Sequence, residues 1–215
     1  MRYSYPRYQE YLYSSGEHTS GKNALGLVYR IKKEITHLRE IKKICELGCG
    51  NGYLANFLAP FGYDVTGVDL SKSGIEQAHK HYEKAAKFLW ADIKPNLCQQ
   101  LGSNAFDLVI AKEVIEHLYR PSDLIKTAQL LLKPNGYLLL TTPYHGYLKN
   151  LLINIAGLTD SHFNPLWDCG HIKFFSVKTL TALVHQYNFQ IISFKFWGRL
   201  PWLWKSMICI AEKKG

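Results

Sequence analysis

The sequence predicts an α/β fold built on a doubly wound, mostly parallel sheet with an antiparallel last strand. Three observations carry that prediction. Near-continuous apolar runs of strand length recur as KKICELG (42–48), DVTGVDL (64–70), KFLWADI (87–93), FDLVIAK (106–112) and GYLLLTT (136–142). Helical patterns separate them, which is the signature of parallel strands covered on both faces. The chain then closes with FQIISFKFW and WKSMICIAEK, joined by a Gly-Arg-Leu-Pro turn too short for a crossover, so the last strand runs antiparallel.

Each element has its own local reason. GYLANFLAP and SKSGIEQAHKHYEKA follow the first two strands with helical patterning, and a looser piece occupies 94–104. PSDLIKTAQLLLK (121–133) has Pro121 and Ser122 as start signals and Pro134-Asn135-Gly136 as a stop. Residues 143–172 break the pattern and read as an irregular, aromatic-rich insertion. SVKTLTALVHQYN (176–188) is the last helix, with Ser176 as its N-cap. A chain of 215 residues suits one sizeable core, so residues 1–41 are expected to form an N-terminal cap segment and 42–215 a single domain.

Composition excludes several classes. The N-terminus lacks an apolar signal-peptide core, and no run approaches the ~18 apolar residues of a membrane span. Five scattered cysteines without a C-x-x-C argue against a disulfide framework and a zinc site, and point to a reducing cytoplasm. The net charge of +9 is concentrated in residues 1–43 and 195–215, where it would suit an anionic surface, nucleic acid or simple solvation.

The stretch CELGCGNGYLA (45–55) sits at the first strand–helix junction, where doubly wound folds bind ligands. No Gly-Lys-Ser/Thr follows, so it is no mononucleotide loop. A dinucleotide fingerprint fails too, because Tyr53 stands where its third glycine belongs. Glu46, two residues before Gly48, would repel a pyrophosphate and attract a cation. Asp69 ends the second strand at about the ~20-residue spacing at which an acid takes a ribose diol, and Asp92 ends the third. Capping explains one such acid more readily than three in succession.

CELGCGNGYLA, GVDLS, FLWADI, FDLVIAKEVIEHL and LLKPNGYLLLTTP, in that order, resemble the class I S-adenosylmethionine-dependent methyltransferases across about residues 42–212. The resemblance implies a Rossmann-like seven-stranded sheet. It places the methionine part of the cofactor over Gly48, Cys49, Gly50, Asn51 and Gly52, with Glu46 near its ammonium. Asp69 would take the ribose hydroxyls, Leu70 would flank the adenine, and Asp92 and Ile93 would meet its edge. Lys112 and Glu113 would lie beside the methionine moiety. The run KEVIEHL is similar to one in ubiquinone-biosynthesis O-methyltransferases, which implies magnesium on Glu113, Glu116 and His117 if the stretch is helical. The simpler reading has no metal and a Glu-rich first turn that complements the helix dipole.

The acceptor site is expected in the insertion 143–172, where aromatics would shape a pocket for a flat or greasy molecule. His145 is the first choice of general base, because it directly follows the fifth strand, and His171 the second. The apolar LKNLLINIAGL (148–158) reads as buried packing, as a lid, or as an element at a membrane interface with Lys149 at its edge. Tyr8 and Tyr11 are candidates to touch the cofactor from the N-terminal segment. The reading that results is a small-molecule methyltransferase, by O-methylation, on an aromatic or lipid-linked acceptor. The alternatives are a nucleic-acid methyltransferase, disfavoured by Ala111-Lys112-Glu113-Val114 where base-modifying enzymes carry a Pro-Pro motif, and a non-catalytic cofactor-binding protein.

Overall fold

The structure is a computed structural model that describes residues 22–215. Tyr8 and Tyr11 lie outside the described residues. Seven strands form one sheet: β1 (Lys43–Leu47), β2 (Asp64–Asp69), β3 (Lys87–Trp90), β4 (Phe106–Lys112), β5 (Leu132–Pro143), β6 (Phe189–Trp197) and β7 (Ser206–Lys213). Their order is β3-β2-β1-β4-β5-β7-β6. β7 is antiparallel to both of its neighbours, and the pairings among β1 to β5 are parallel. The order reverses between β1 and β4, which leaves a crevice at the carboxyl ends of those strands.

Side-chain alternation explains why both faces must be covered. On β4, Leu108 and Ile110 point to one face, where they join Leu27, Val28, Ile31 and Ile35 of α1 (Lys22–Ile35) and Leu54 and Leu58 of α2 (Tyr53–Leu58). α3 (Lys72–Tyr82) completes that layer with Ile75 and Ala78. Val109 and Ala111 point the other way, into a cluster with Leu124, Ile125, Ala128 and Leu131 of α5 (Pro121–Leu131) and Leu180 and Val184 of α8 (Val177–His185). α4 (Cys98–Leu101) is a single turn on that side. Each of these strand residues buries fully, so a one-residue register slip would exchange both layers at once.

Helix ends follow the sequence signals. Ser71 caps α3 by accepting from the Gly74 amide at 3.1 Å. Ser176 and Thr179 form a reciprocal capping box at α8. α1 belongs to the core rather than lying beside it: a Cβ on Gly26 would come within 2.3 Å of Trp197 on β6. The insertion is more ordered than its irregular sequence pattern predicts. It holds α6 (Tyr147–Ile155) and α7 (Thr159–Phe163), packed beside the carboxyl end of β5. Among the described residues no helix is long and apolar enough to cross a membrane.

Candidate active site

The glycine loop is bare for two reasons. Gly48, Gly50 and Gly52 all take left-handed backbone angles, with φ of 80°, 54° and 80°, a region that side chains strain to occupy. The loop also presses on its own protein. A Cβ on Gly48 would stand 2.3 Å from Val114, and one on Gly52 would stand 2.7 Å from Phe88. Part of what the missing side chains admit is therefore the chain itself. The loop is anchored by the Gly48 and Cys49 amides, which donate to the Val68 carbonyl at 2.8 and 3.0 Å. Cys49 and Asn51 are buried, and burial pushes the Cys49 thiol up, so it is no thiolate nucleophile.

The three acids differ in what they do. Asp69 is the most committed: one carboxylate oxygen accepts from the Gly50 amide and the other from the Ser71 amide, both at 2.7 Å. It ties the first and second strand–helix loops together, which the sequence did not reveal. Burial still raises its pKa, against the pull of those amides. Glu46 is almost fully buried, and its Oε2 has no hydrogen-bond partner. Burial raises its pKa to about 8, with Lys112 opposing and Asp69 adding to the rise. Asp92 lies further out and pairs with Lys94 at 2.5 Å. Leu70 is part-exposed, and the Trp90 indole donates to its carbonyl at 2.8 Å, which builds an apolar wall that sequence reading passed over. Ile93 packs against the edge of the core nearby.

At the end of β4 the structure corrects one expectation. Residues 113–117 do not form an α-helix with Glu113, Glu116 and His117 on one side. Glu113 takes a left-handed φ of 53°, and only Ile115–His117 turn, as a single 3-10 turn. The cause is a contact with the neighbouring strand: the Glu113 amide is held by Thr141 of β5, through both its carbonyl and its hydroxyl. The Glu113 carboxylate accepts from the Thr141 hydroxyl at 2.9 Å and from Ser206 at 3.4 Å. Its oxygens are thus turned toward β5 and β7. Glu116 is fully buried, neither oxygen makes a hydrogen bond of good geometry, and it groups instead with His117 and His171.

The two candidate bases separate into two clusters. His145 is buried among Phe174 (5.0 Å between ring centres), His162 (5.8 Å) and Phe163 (5.9 Å). Burial lowers its pKa to about 4, Lys149 adds to the fall, and its Nδ1 lacks a partner. His171 packs on His117 and Trp167, at 4.8 and 5.2 Å, and burial likewise lowers its pKa to about 4. Lys149 is not at an exposed edge. It is the buried residue of α6, and its Nζ donates to the Tyr144 carbonyl at 2.7 Å. Burial brings its pKa down to about 8. The apolar side chains of α6 face outward instead, with Tyr147 84% and Ile155 73% exposed. A cavity of about 440 Å³ opens far from all of this, at the amino ends of the strands beside Lys43, Asp64 and Lys87.

Comparison with known proteins decides the family. A family model described as a methyltransferase domain matches residues 22–194. The chain belongs to the methyltransferase-domain family. Within reach of this family, the ubiquinone biosynthesis O-methyltransferase of Photobacterium profundum is 31% identical over 151 residues, which cover 69% of this chain and 64% of that protein. This chain thus spans less than two thirds of that relative's length. The PH0226 protein of Pyrococcus horikoshii superposes with a TM-score of 0.72 at 17% identity, covering 92% of this chain and 94% of that one. The [4+2]-cyclase SpnF superposes with a TM-score of 0.69 at 17% identity, covering 97% and 87%. Likeness at that level shares the fold, and a cyclase on a methyltransferase-domain fold shows that chemistry has to be argued from the site.

Proposed function

We propose that the protein is an S-adenosylmethionine-dependent methyltransferase of a small-molecule acceptor, acting by O-methylation. The observation that carries the proposal is the buried Glu46 carboxylate, which has an unpartnered oxygen and stands two residues before a left-handed glycine loop. A ligand with a sulfonium, an ammonium and no phosphate fits that acceptor, and a pyrophosphate does not. Asp69 keeps lone pairs beyond the two that its amides use, which suits ribose hydroxyls. Leu70 and Trp90 offer an adenine wall, Asp92 and Ile93 its polar and apolar edge, and Lys112 and Glu113 flank the methionine end. The loop residues Gly48 to Gly52 supply the close backbone approach.

Bound there, the cofactor supplies an already activated methyl group. The chain must then hold the acceptor oxygen on axis, about 3 Å from it. O-methylation is supported by the names of the relatives, and an aromatic acceptor by the rings around His145. His145 is neutral at physiological pH with a free Nδ1, so it can take the hydroxyl proton. Its low proton affinity keeps its gain at the lower end of the ~10²–10⁴-fold range for general bases. The His145→Ala protein should lose turnover by about 10²-fold with cofactor affinity unchanged. Equal turnover would remove His145 from the mechanism. Calorimetric titration with S-adenosylmethionine tests the proposal itself, since a wild-type protein that does not bind it would refute the reading.

The exposed face of α6 supports a lipid-linked acceptor met at a membrane surface. Tyr147, Leu148, Leu151, Leu152 and Ile155 are outward, and Leu200 and Trp202 stand exposed beside Arg199. An apolar face edged by positive charge is the pattern of an interfacial element. Sedimentation with anionic vesicles should carry the protein down, and Leu151→Glu with Ile155→Glu should weaken that partition by at least tenfold. Wild-type protein that stays in the supernatant at low salt would end this reading.

A further inference from the structure

A buried ammonium stands at the amino end of α6, and it is short of partners. Lys149 is 4% exposed, and its Nζ donates to the Tyr144 carbonyl at 2.7 Å. An ammonium has three protons to donate. Among the described residues no other acceptor takes the remaining two, and no carboxylate lies within ion-pair distance. We propose that Lys149 and the first turn of α6 bind an anionic group, a carboxylate or a phosphate, carried by the methyl acceptor. This deepens the methyltransferase reading above and rests on it for the molecule that carries the anion.

Three features support the site. The first is the helix end itself. α6 has nine residues with Gly146 as N-cap, no side chain caps it, and its first turn holds no acid. The leading amides of a helix have no partner inside it and carry the positive end of its dipole. An acid belongs there, yet this helix places a lysine and folds it back toward Tyr144, two residues before the cap. A cation buried against that end is disfavoured twice, by lost hydration and by the dipole, and an anion between the two relieves both.

The second feature is the company the ammonium keeps. His145 directly precedes the N-cap and is 7% exposed. Its Nδ1 and the buried Oδ1 of Asn150 make no hydrogen bond of good geometry. His162 packs on His145, with ring centres 5.8 Å apart. Arg199, in the turn between β6 and β7, adds its charge to that of Lys149 at His162. The carboxylate whose charge reaches Lys149 is Glu113, and that group accepts from Thr141 and Ser206. The pocket thus gathers cations and imidazoles and lacks a negative group of its own.

The third feature is position. Tyr144 follows the carboxyl end of β5, and Phe163 and Phe174 surround His145. An acceptor anchored on Lys149 therefore lies beside the proposed base. Burial first and the Lys149 charge second hold down the proton affinity of His145, so an anion on Lys149 leaves it a better base.

The probes are benzoate, phenyl phosphate and the uncharged benzamide, each titrated calorimetrically into the whole chain without S-adenosylmethionine. None carries a hydroxyl to methylate, so the readout is independent of methyl transfer. At least one anion should bind the wild type tenfold or more tighter than benzamide, as expected for hydrogen bonds to a charged group, and the tighter one assigns carboxylate or phosphate. Lys149→Met and Lys149→Gln should each bring the anions down to the level of benzamide, whose own affinity stays within about threefold. Lys149→Gln retains a donor for the Tyr144 carbonyl, so it should melt within about 5 °C of the wild type and decide the matter if Lys149→Met is unstable. The proposal is overturned if the wild type prefers neither anion, or if that preference survives both variants. It is equally overturned if both variants unfold, because the ammonium would then be a structural need. S-adenosylmethionine binding, titrated separately, judges the methyltransferase reading, so either can fail without the other.

Discussion

The Asp69→Ala protein is expected to lose S-adenosylmethionine affinity by at least about a hundredfold and to melt roughly 5–15 °C below the wild type. Both effects come from one side chain. Its two oxygens each hold a backbone amide at 2.7 Å, one in the glycine loop and one at the start of α3. Hydrogen bonds to a charged acceptor contribute about 1.5–3 kcal/mol each, and two part-buried amides would be left unmet. A net loss of about 3–4 kcal/mol, at about 2–4 °C per kcal/mol for a chain of this size, gives the melting shift. The Asp69→Asn protein separates the roles. Its amide retains one acceptor oxygen, so it should keep part of the stability while binding falls nearly as far. Wild-type affinity in Asp69→Ala, read by calorimetric titration, would show that the cofactor does not depend on this loop. Wild-type melting would show that the two amides find other partners.

Glu46 should make cofactor affinity rise with pH. Its carboxyl titrates at about 8 in the unliganded fold, so below that pH the group is mostly protonated and offers a cation nothing. Binding of a positive centre requires the ionised form and expels the proton. Affinity should therefore climb by up to about tenfold per pH unit below 8 and level off above it. The Glu46→Gln protein should give a nearly flat profile. That comparison isolates Glu46 from Lys149, whose ammonium also titrates at about 8. Stability should move in the opposite sense. A carboxyl raised from its ordinary 4.5 contributes in full below 4.5 and loses that contribution as pH rises to about 8. Without cofactor at pH 9, the Glu46→Gln protein should therefore melt above the wild type. A profile that stays steep in Glu46→Gln would assign the titration to another group.

Much of the architecture was legible because it depends on short-range pattern. Apolar runs bounded by turn residues mark β1, β2 and β4 within a residue, while β3 ends earlier, at Trp90, and β5 starts earlier, at Leu132. Ser176 caps where its side-chain oxygen can reach an amide three residues on. Glu46, Asp69 and the glycines were visible because strand ends and left-handed turns restrict which residues can stand there.

What escaped the sequence depends on partners far apart in the chain. Glu113 looked like one ligand of a helical trio, yet Ser206, 93 positions away, takes its carboxylate and the turn never becomes a helix. His171 was read as a second choice of base, and the sequence did not reveal that the pairing of the Glu116 carbonyl with residues 172 and 173 brings it beside His117. Lys149 looked like the charged edge of an apolar helix, and α6 turns it inward while its leucines face out. Which elements form, and which acids line the cleft, follow from local backbone preference and apolar periodicity. Which side chains share a site is set by burial and by the few long-range hydrogen bonds that buried polar groups must find, and only the folded chain brings those partners within reach.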